Sequence, residues 1–316
     1  MTGLVTSLVT AAAPNVDHHR RDVAIGVACA VATVAIWTGF ILISRASAGS
    51  RSLLPSDLAA LRFAVAAAIM LPVLLWRLRA QSFEAALGMS WQRALVVALT
   101  AGCGFALFAF SAFVFAPVAH AGVLMPGALP FSTALVAWLV LRERVGRQRA
   151  LGLSLIFAGI VTLGFGTFLG VDRRMLIGDA LFLCASTSWA IFVVYARKWQ
   201  LRPVEATIAL SCGAALLYLP VYLLFLPKRI AAAPLWEVIG QGFYQGTFSV
   251  VLSTIVYTRV LMTFGATRTA MITAIVPGTV ALLAVPVLGE PLSAAALLGL
   301  VLVTAGMIAG VVTFRR

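Results

Sequence analysis

Helix-breaking and polar residues set inside apolar sequence are where this chain could do chemistry. Pro126 and Pro130 stand in the apolar run 118–141, and Pro277 in the run 266–288. A proline within a helix removes one backbone hydrogen bond and frees the carbonyl four residues earlier. Pro130 would free the carbonyl of Pro126, Pro126 that of Gly122, and Pro277 that of Thr273. Carbonyls freed at mid-bilayer depth, at matching places in two halves of a chain, are a way to hold a small polar molecule. Trp37 and Trp189 each lie a few residues from the centre of an apolar run, away from the interfacial belt usual for the residue. They are expected to form aromatic walls or gates above and below a substrate. Gln241, Tyr244, Gln245 and Phe248 share about 100° of arc on a helical wheel, with Ser249 beside them. An amide in the bilayer must face the bundle interior or a water-filled cavity, so Gln245 and its neighbour Tyr244 are read as substrate contacts.

The charged residues point the same way, largely by what they do not form. His120, at the start of the run 118–141, could titrate near neutral pH; Arg268, at the start of 266–288, could bind a carboxylate. Both sit near membrane ends, as gate or charge residues. Arg62, five residues into the run 57–78, is expected to snorkel to headgroups, and its counterpart in the second half is Leu210. The ten acidic residues all map to tails, loops or helix ends, so no intramembrane carboxylate is expected to couple transport to protons or sodium. Glu143 and Glu290 read as capping or loop-fixing residues. The rings of Phe105, Phe108, Phe110, Phe113 and Phe115 point in too many directions to make one aromatic box. Cys29, Cys103, Cys184 and Cys212 read as small core residues. No Ser/His/Asp set and no His-Glu-x-x-His motif occurs, so no catalytic residue, metal or cofactor is expected.

These residues need long apolar elements to hold them. Of 316 residues, 62% are hydrophobic and 10% charged, against about a quarter charged in soluble domains; the mean hydropathy is +1.06. At roughly 20 residues per crossing, the runs 23–44, 57–78, 92–115, 118–141, 148–168, 176–197, 204–226, 236–261, 266–288 and 293–313 make ten candidate spans, the eighth and ninth parting near Gly265. The net charge of +13 sits in short clusters between spans, which lipid topology explains and nucleic-acid binding does not. With ten spans, sixteen of the 23 Lys and Arg fall on the side of the amino terminus, so both termini are expected in the cytoplasm.

The two halves repeat. Ile25-Gly26, Trp37 and Arg45 recur 152 residues later as Ile177-Gly178, Trp189 and Arg197. Leu71-Pro72-Val73 recurs after 148 as Leu219-Pro220-Val221, and Pro130, Glu143 and Ala158-Gly159 recur after 147 as Pro277, Glu290 and Ala305-Gly306. Five spans per half, an odd number, would turn the second half upside down relative to the first. The fold expected is thus all-α and membrane-embedded: ten transmembrane helices in two inverted five-helix repeats. A cytoplasmic tail would cover 1–22, the first repeat 23–170 and the second 171–316.

Leu61-Arg62-Phe63, Ala116-Pro117-x-Ala119-His120-Ala121, Gly265-Ala266-Thr267-Arg268 and the Pro-x12-Glu pattern closing the fourth span of each half resemble the drug/metabolite transporter superfamily, EamA type, over about 24–313. That resemblance implies a ten-helix basket around a central cavity, here lined by spans 1, 3, 4, 6, 8 and 9, and export of small metabolites, often amino acids. The function expected is an inner (plasma) membrane transporter of small organic metabolites, with amino acids or related amphiphiles foremost, working by alternating access. Its partners would be a small-molecule substrate and membrane lipids, with no nucleic acid, and the chain is expected to act as a monomer. The alternatives are an exporter of drugs or nucleoside-type metabolites and a membrane-embedded enzyme acting on lipid-linked substrates.

Overall fold

The computed structural model describes residues 16–143, 146–169, 173–273 and 275–309, and every regular element among them is helical. In chain order they are α1 (Val16–Ser50), α2 (Pro55–Leu78), α3 (Phe83–Leu87), α4 (Trp91–Val97), α5 (Phe105–Phe115), α6 (Val118–Leu141), α7 (Arg147–Leu169), α8 (Arg173–Lys198), α9 (Pro203–Phe225), α10 (Leu235–Phe243), α11 (Ser253–Thr273), α12 (Val276–Leu288) and α13 (Ala294–Ala309). Wider π-helical segments, Ala98–Gly104 and Tyr244–Leu252, join α4 to α5 and α10 to α11. Among the described residues, seven helical stretches are long and apolar enough to cross a bilayer, and Ala150–Thr162, Val276–Leu288 and Ala294–Ala309 are shorter apolar helices. Leu216, Phe225, Trp236 and Leu282 stay exposed, as lipid-facing side chains do; Phe63, Phe110, Phe113 and Phe182 are buried between helices.

Local sequence explains where helices begin. Pro55 and Pro203 open α2 and α9 with an acid, Asp57 or Glu205, in the first turn, where a missing N–H costs nothing and a negative charge meets unpaired amides. Asp57 accepts the Leu54 N–H at 2.8 Å and the Tyr222 hydroxyl at 2.6 Å, so one carboxylate caps α2 and ties it to α9. The prolines expected to break matched helices behave differently in the two halves. α6 continues through Pro126 and Pro130, whereas Pro277 falls in the first turn of α12. The second-half proline therefore starts a helix instead of kinking one.

Helical structure also runs through Gly265, where a break between spans was expected. The contacts with α1 nevertheless reverse there. Ser253 bonds Trp37, Thr263 and Phe264 lie against Gly26, and then Thr279 bonds Thr38 at 2.6 Å and Glu290 pairs with Arg45. A straight helix continuing past Gly26 could not bring Thr279 back to Thr38, about 18 Å further along α1 at 1.5 Å per residue. The chain turns back between Phe264 and Thr279.

Features at the repeat spacing recur in the geometry. The two π segments start 146 residues apart. Arg142 (φ 57°) and Gly289 (φ 66°), 147 apart, end α6 and α12 in the left-handed conformation. A Cβ on Gly159 would stand 2.8 Å from the carbonyl oxygen of Gly299, and one on Gly306 would stand 2.6 Å from that of Gly152. Each of these contacts is the other's repeat mate, so α7 and α13 approach through a reciprocal pair of glycines. Small residues permit such approach in lipid, where helix association relies on close packing. Gly246 is likewise used within the chain, against Val65 and Ala66 of α2.

Candidate functional site

Residues from seven helices converge on an internal cavity of about 50 Å3. α1 brings Trp37, Phe40 and Ile41, α2 Arg62, α5 Phe105, α6 Met125, Pro126 and Leu129, α8 Ser186 and Trp189, the second π segment and α11 Ser249 and Ser253, and α12 Val276. The spans expected to line a cavity all contribute, and α2 joins them through Arg62. The wall is aromatic and apolar, with a few hydroxyls and one cation.

Arg62 does not snorkel. It is 2% exposed, about 10 Å into α2 from Pro55 at 1.5 Å per residue. Its guanidinium donates to the Ser249 hydroxyl at 2.6 Å and, at 3.4 Å, to the Gln245 side-chain oxygen and the Ser249 carbonyl. The carbon of the guanidinium lies 5.5 Å from the Phe40 ring centre and 5.7 Å from that of Phe105. Among the described residues no carboxylate lies within ion-pair distance, and the Nε–H has no partner. What holds this charge is neutral dipoles and ring faces. The sequence signal was present as an arginine in a span, but its distance from the helix start suited an interfacial reading equally well.

Two aromatic layers close the cavity. Along α1, Trp37, Phe40 and Arg45 follow in that order. Trp37 and Trp189 meet edge-on at 6.3 Å and both pack on Tyr257, while Trp189 also touches Phe105 and Phe192. The tryptophans thus form one layer, with no room for a molecule between their rings, instead of walls above and below a substrate. Trp37 donates its indole N–H to Ser253 at 3.0 Å; that of Trp189 is buried without an acceptor. The second layer is Phe40 with Phe105, Phe110 and Phe113, the last also packed on Phe182. Three of the five phenylalanines expected to scatter therefore converge on one ring. Phe110 also lines a vestibule of about 810 Å3 together with Arg45, Arg51, Arg174 and Arg229.

The other predicted site residues take supporting places. Gln245 is wholly buried behind Arg62, giving its amide N–H to Ser44 at 3.1 Å and Gln241 at 3.3 Å. Tyr244 donates to the Ile36 carbonyl at 2.9 Å and stacks on Phe248, clipping its segment to α1. Pro126 lines the cavity and Pro130 lies one turn beyond it in α6; the carbonyl that receives a side chain is that of Met125, from Ser186 at 3.0 Å. Thr273 and Pro277 are buried on either side of the step from α11 to α12, next to the lining residue Val276. His120, at the start of α6, pairs at 2.7 Å with Asp179, six residues into α8, and both are buried, so this carboxylate lies inside a helix and not at its end as expected. The side chain of Arg268 lies outside the described residues. No group of three metal-ligating side chains occurs among the described residues.

Arg45 and Glu290 pair at 2.6 Å, and Arg197 pairs with Glu143. The arginines are repeat mates, as are the glutamates, so each half supplies the arginine of one bridge and the glutamate of the other. Arg45 also donates to the Phe113 carbonyl at 2.8 Å, and Glu290 accepts the first N–H of α6, from Val118, at 2.9 Å. Glu290 does cap a helix, though one in the other half of the chain.

Membrane-length helices folded around a small internal cavity, closed by aromatic layers and tied by ion pairs between halves, are the architecture of a multi-pass membrane transporter. The chain belongs to the EamA-like transporter family, whose model matches residues 24–165 and again 176–311. The family points to transport, not to an enzyme. The chain is similar to the uncharacterized transporter YyaM of Bacillus subtilis (strain 168), at 24% identity over 263 residues, covering 80% of this chain and 83% of that one. A protein solved by crystallography shares the fold, with a TM-score of 0.64 and 20% identity over 92% of this chain and 98% of its own.

Proposed function

We propose that this protein carries small organic metabolites, amino acids or related amphiphiles, across the plasma membrane by alternating access, with export as the working direction. Its ten apolar stretches all cross, as two inverted five-helix repeats with both termini in the cytoplasm. The observation that carries this reading is the exchange of ion pairs between the halves. Arg45–Glu290 and Arg197–Glu143 close opposite ends of the path, because Arg45 bonds the Phe113 carbonyl close to Ala116, against which Gly178 in the first turns of α8 packs, so α8 runs from the Arg45 end past Trp189 to Arg197. Opening one bridge and the aromatic layer beneath it, while the mate stays shut, exposes the cavity to one face at a time. A cavity of 50 Å3 has room for water but not for a metabolite, so the shape described is closed around the site.

Two measurements test this. Single cysteines at Ser52 and Gln200, 148 residues apart in the short links after α1 and α8, in a background without native cysteines, should be labelled by an impermeant thiol reagent from opposite faces. Labelling of both on intact cells would refute the inverted arrangement. Purified protein in liposomes should show saturable counterflow of labelled amino acids; its absence across a panel of metabolites would refute the transport reading.

A further inference from the structure

The polar groups left unmet in the cavity identify what it binds. Arg62 Nε and Trp189 Nε1 are both buried, both in the cavity wall and both without an acceptor. Phe105 contacts both residues, its ring centre 5.7 Å from the guanidinium carbon and 5.3 Å from that of the Trp189 ring. Guanidinium and indole are donors with no acceptor capacity. Whatever completes them must therefore offer acceptors, and beside a buried cation lacking a carboxylate partner it must offer negative charge. The rest of the wall, Trp37, Phe40 and Leu129 included, accepts an apolar or aromatic body.

We propose that Arg62 and the Trp189 indole N–H form a carboxylate-binding site, and that the passenger is a compact organic anion with an aromatic or branched apolar body. This deepens the transport reading and rests on it. Ser249 and Gln245 do not neutralise Arg62; they hold the guanidinium fork by the bonds described above and leave its Nε–H without a partner.

The test uses full-length protein in nanodiscs and matched pairs of probes that differ in charge but hardly in shape: benzoate with benzamide, phenylacetate with phenylacetamide, and 4-methylpentanoate with its amide. At least one acid should bind about tenfold or more tighter than its amide, the scale of a charge-assisted bond, read by thermal shift and tryptophan fluorescence. Arg62→Gln should erase that preference. Trp189→Phe keeps a ring but removes the N–H and should weaken the acid by several-fold without changing the amide, which keeps the idea testable if Arg62→Gln fails to fold. If no acid outbinds its amide, or if the preference survives both substitutions, the proposal is overturned. Binding of an acid that is never carried into or out of proteoliposomes would instead sink the transport reading and leave the site standing. Saturable transport of amides and cations with no preference for acids would do the reverse.

Discussion

The two halves of this molecule share a scaffold and differ in chemistry. Gly159 and Gly306 make equivalent contacts, Arg142 and Gly289 end equivalent helices, and each half carries one π segment. Yet Arg62, the cation of the cavity, has buried Leu210 as its counterpart. The π segment Tyr244–Leu252 supplies Gln245 and Ser249 to that cation, while Ala98–Gly104 offers mainly Ala and Gly, its Thr100 hydroxyl spent on the Val96 carbonyl. Packing between helices is mutual, so it keeps the symmetry of the repeat. A ligand cannot be symmetric about the same axis, and one set of polar groups is enough to hold it.

Five substitutions would break or sharpen this contrast. Arg62→Leu, which gives the first half the residue of the second, should lower transport by about a hundredfold or more, through loss of charge-assisted bonds; Leu210→Met should leave the rate within about twofold. Comparable losses from the two would remove the asymmetry. Gly159→Leu and Gly306→Leu should each destabilise by about 1–3 kcal/mol, by similar amounts, because each side chain meets a backbone carbonyl of the facing helix; unfolding in a denaturant series would reveal a mismatch. Gln245→Ala should cost roughly tenfold in transport, the effect of one or two buried hydrogen bonds behind Arg62, with folded yield largely kept.

The smallest effect separates the two bridges. Glu290→Gln loses a half-buried ion pair and weakens the cap on α6, and should raise leak through the vestibule several-fold. Glu143→Gln disturbs a pair whose side chains are 41% and 42% exposed, and exposed pairs contribute at most about 1 kcal/mol. Equal leak from both variants would mean that the bridges are interchangeable.

Much of this was legible in the sequence. Runs of apolar residues, the constant offsets and the paired prolines and glutamates gave the helices and most of the cavity's lining elements, because those features are local or repeat along the chain. The site itself was read with a fixed 100° per residue, and that wheel loses phase from Tyr244 onward, where i→i+5 bonding widens the turn. Ser253, beyond the π segment, was missed for this reason, whereas Tyr244 and Gln245 stand where the loss of phase begins and are drawn off the cavity wall by partners on other helices, the Ile36 carbonyl and Arg62. Arg62 escaped for another reason. Whether a long cation snorkels or stays buried depends on neutral partners from another helix, and Ser249 lies 187 residues away in the chain.

The lone charge on Arg62 has an electrical consequence. It stays with the protein, so an anion that neutralises it in the cavity departs as an anion, and each crossing moves one charge through the membrane field. A potential of 100 mV is worth about 2.3 kcal/mol per charge, roughly a fiftyfold concentration ratio at equilibrium. In a cell whose interior is negative that force points outward for an anion. The resting voltage would then drive expulsion, and no proton- or sodium-binding carboxylate would be needed beside the passenger.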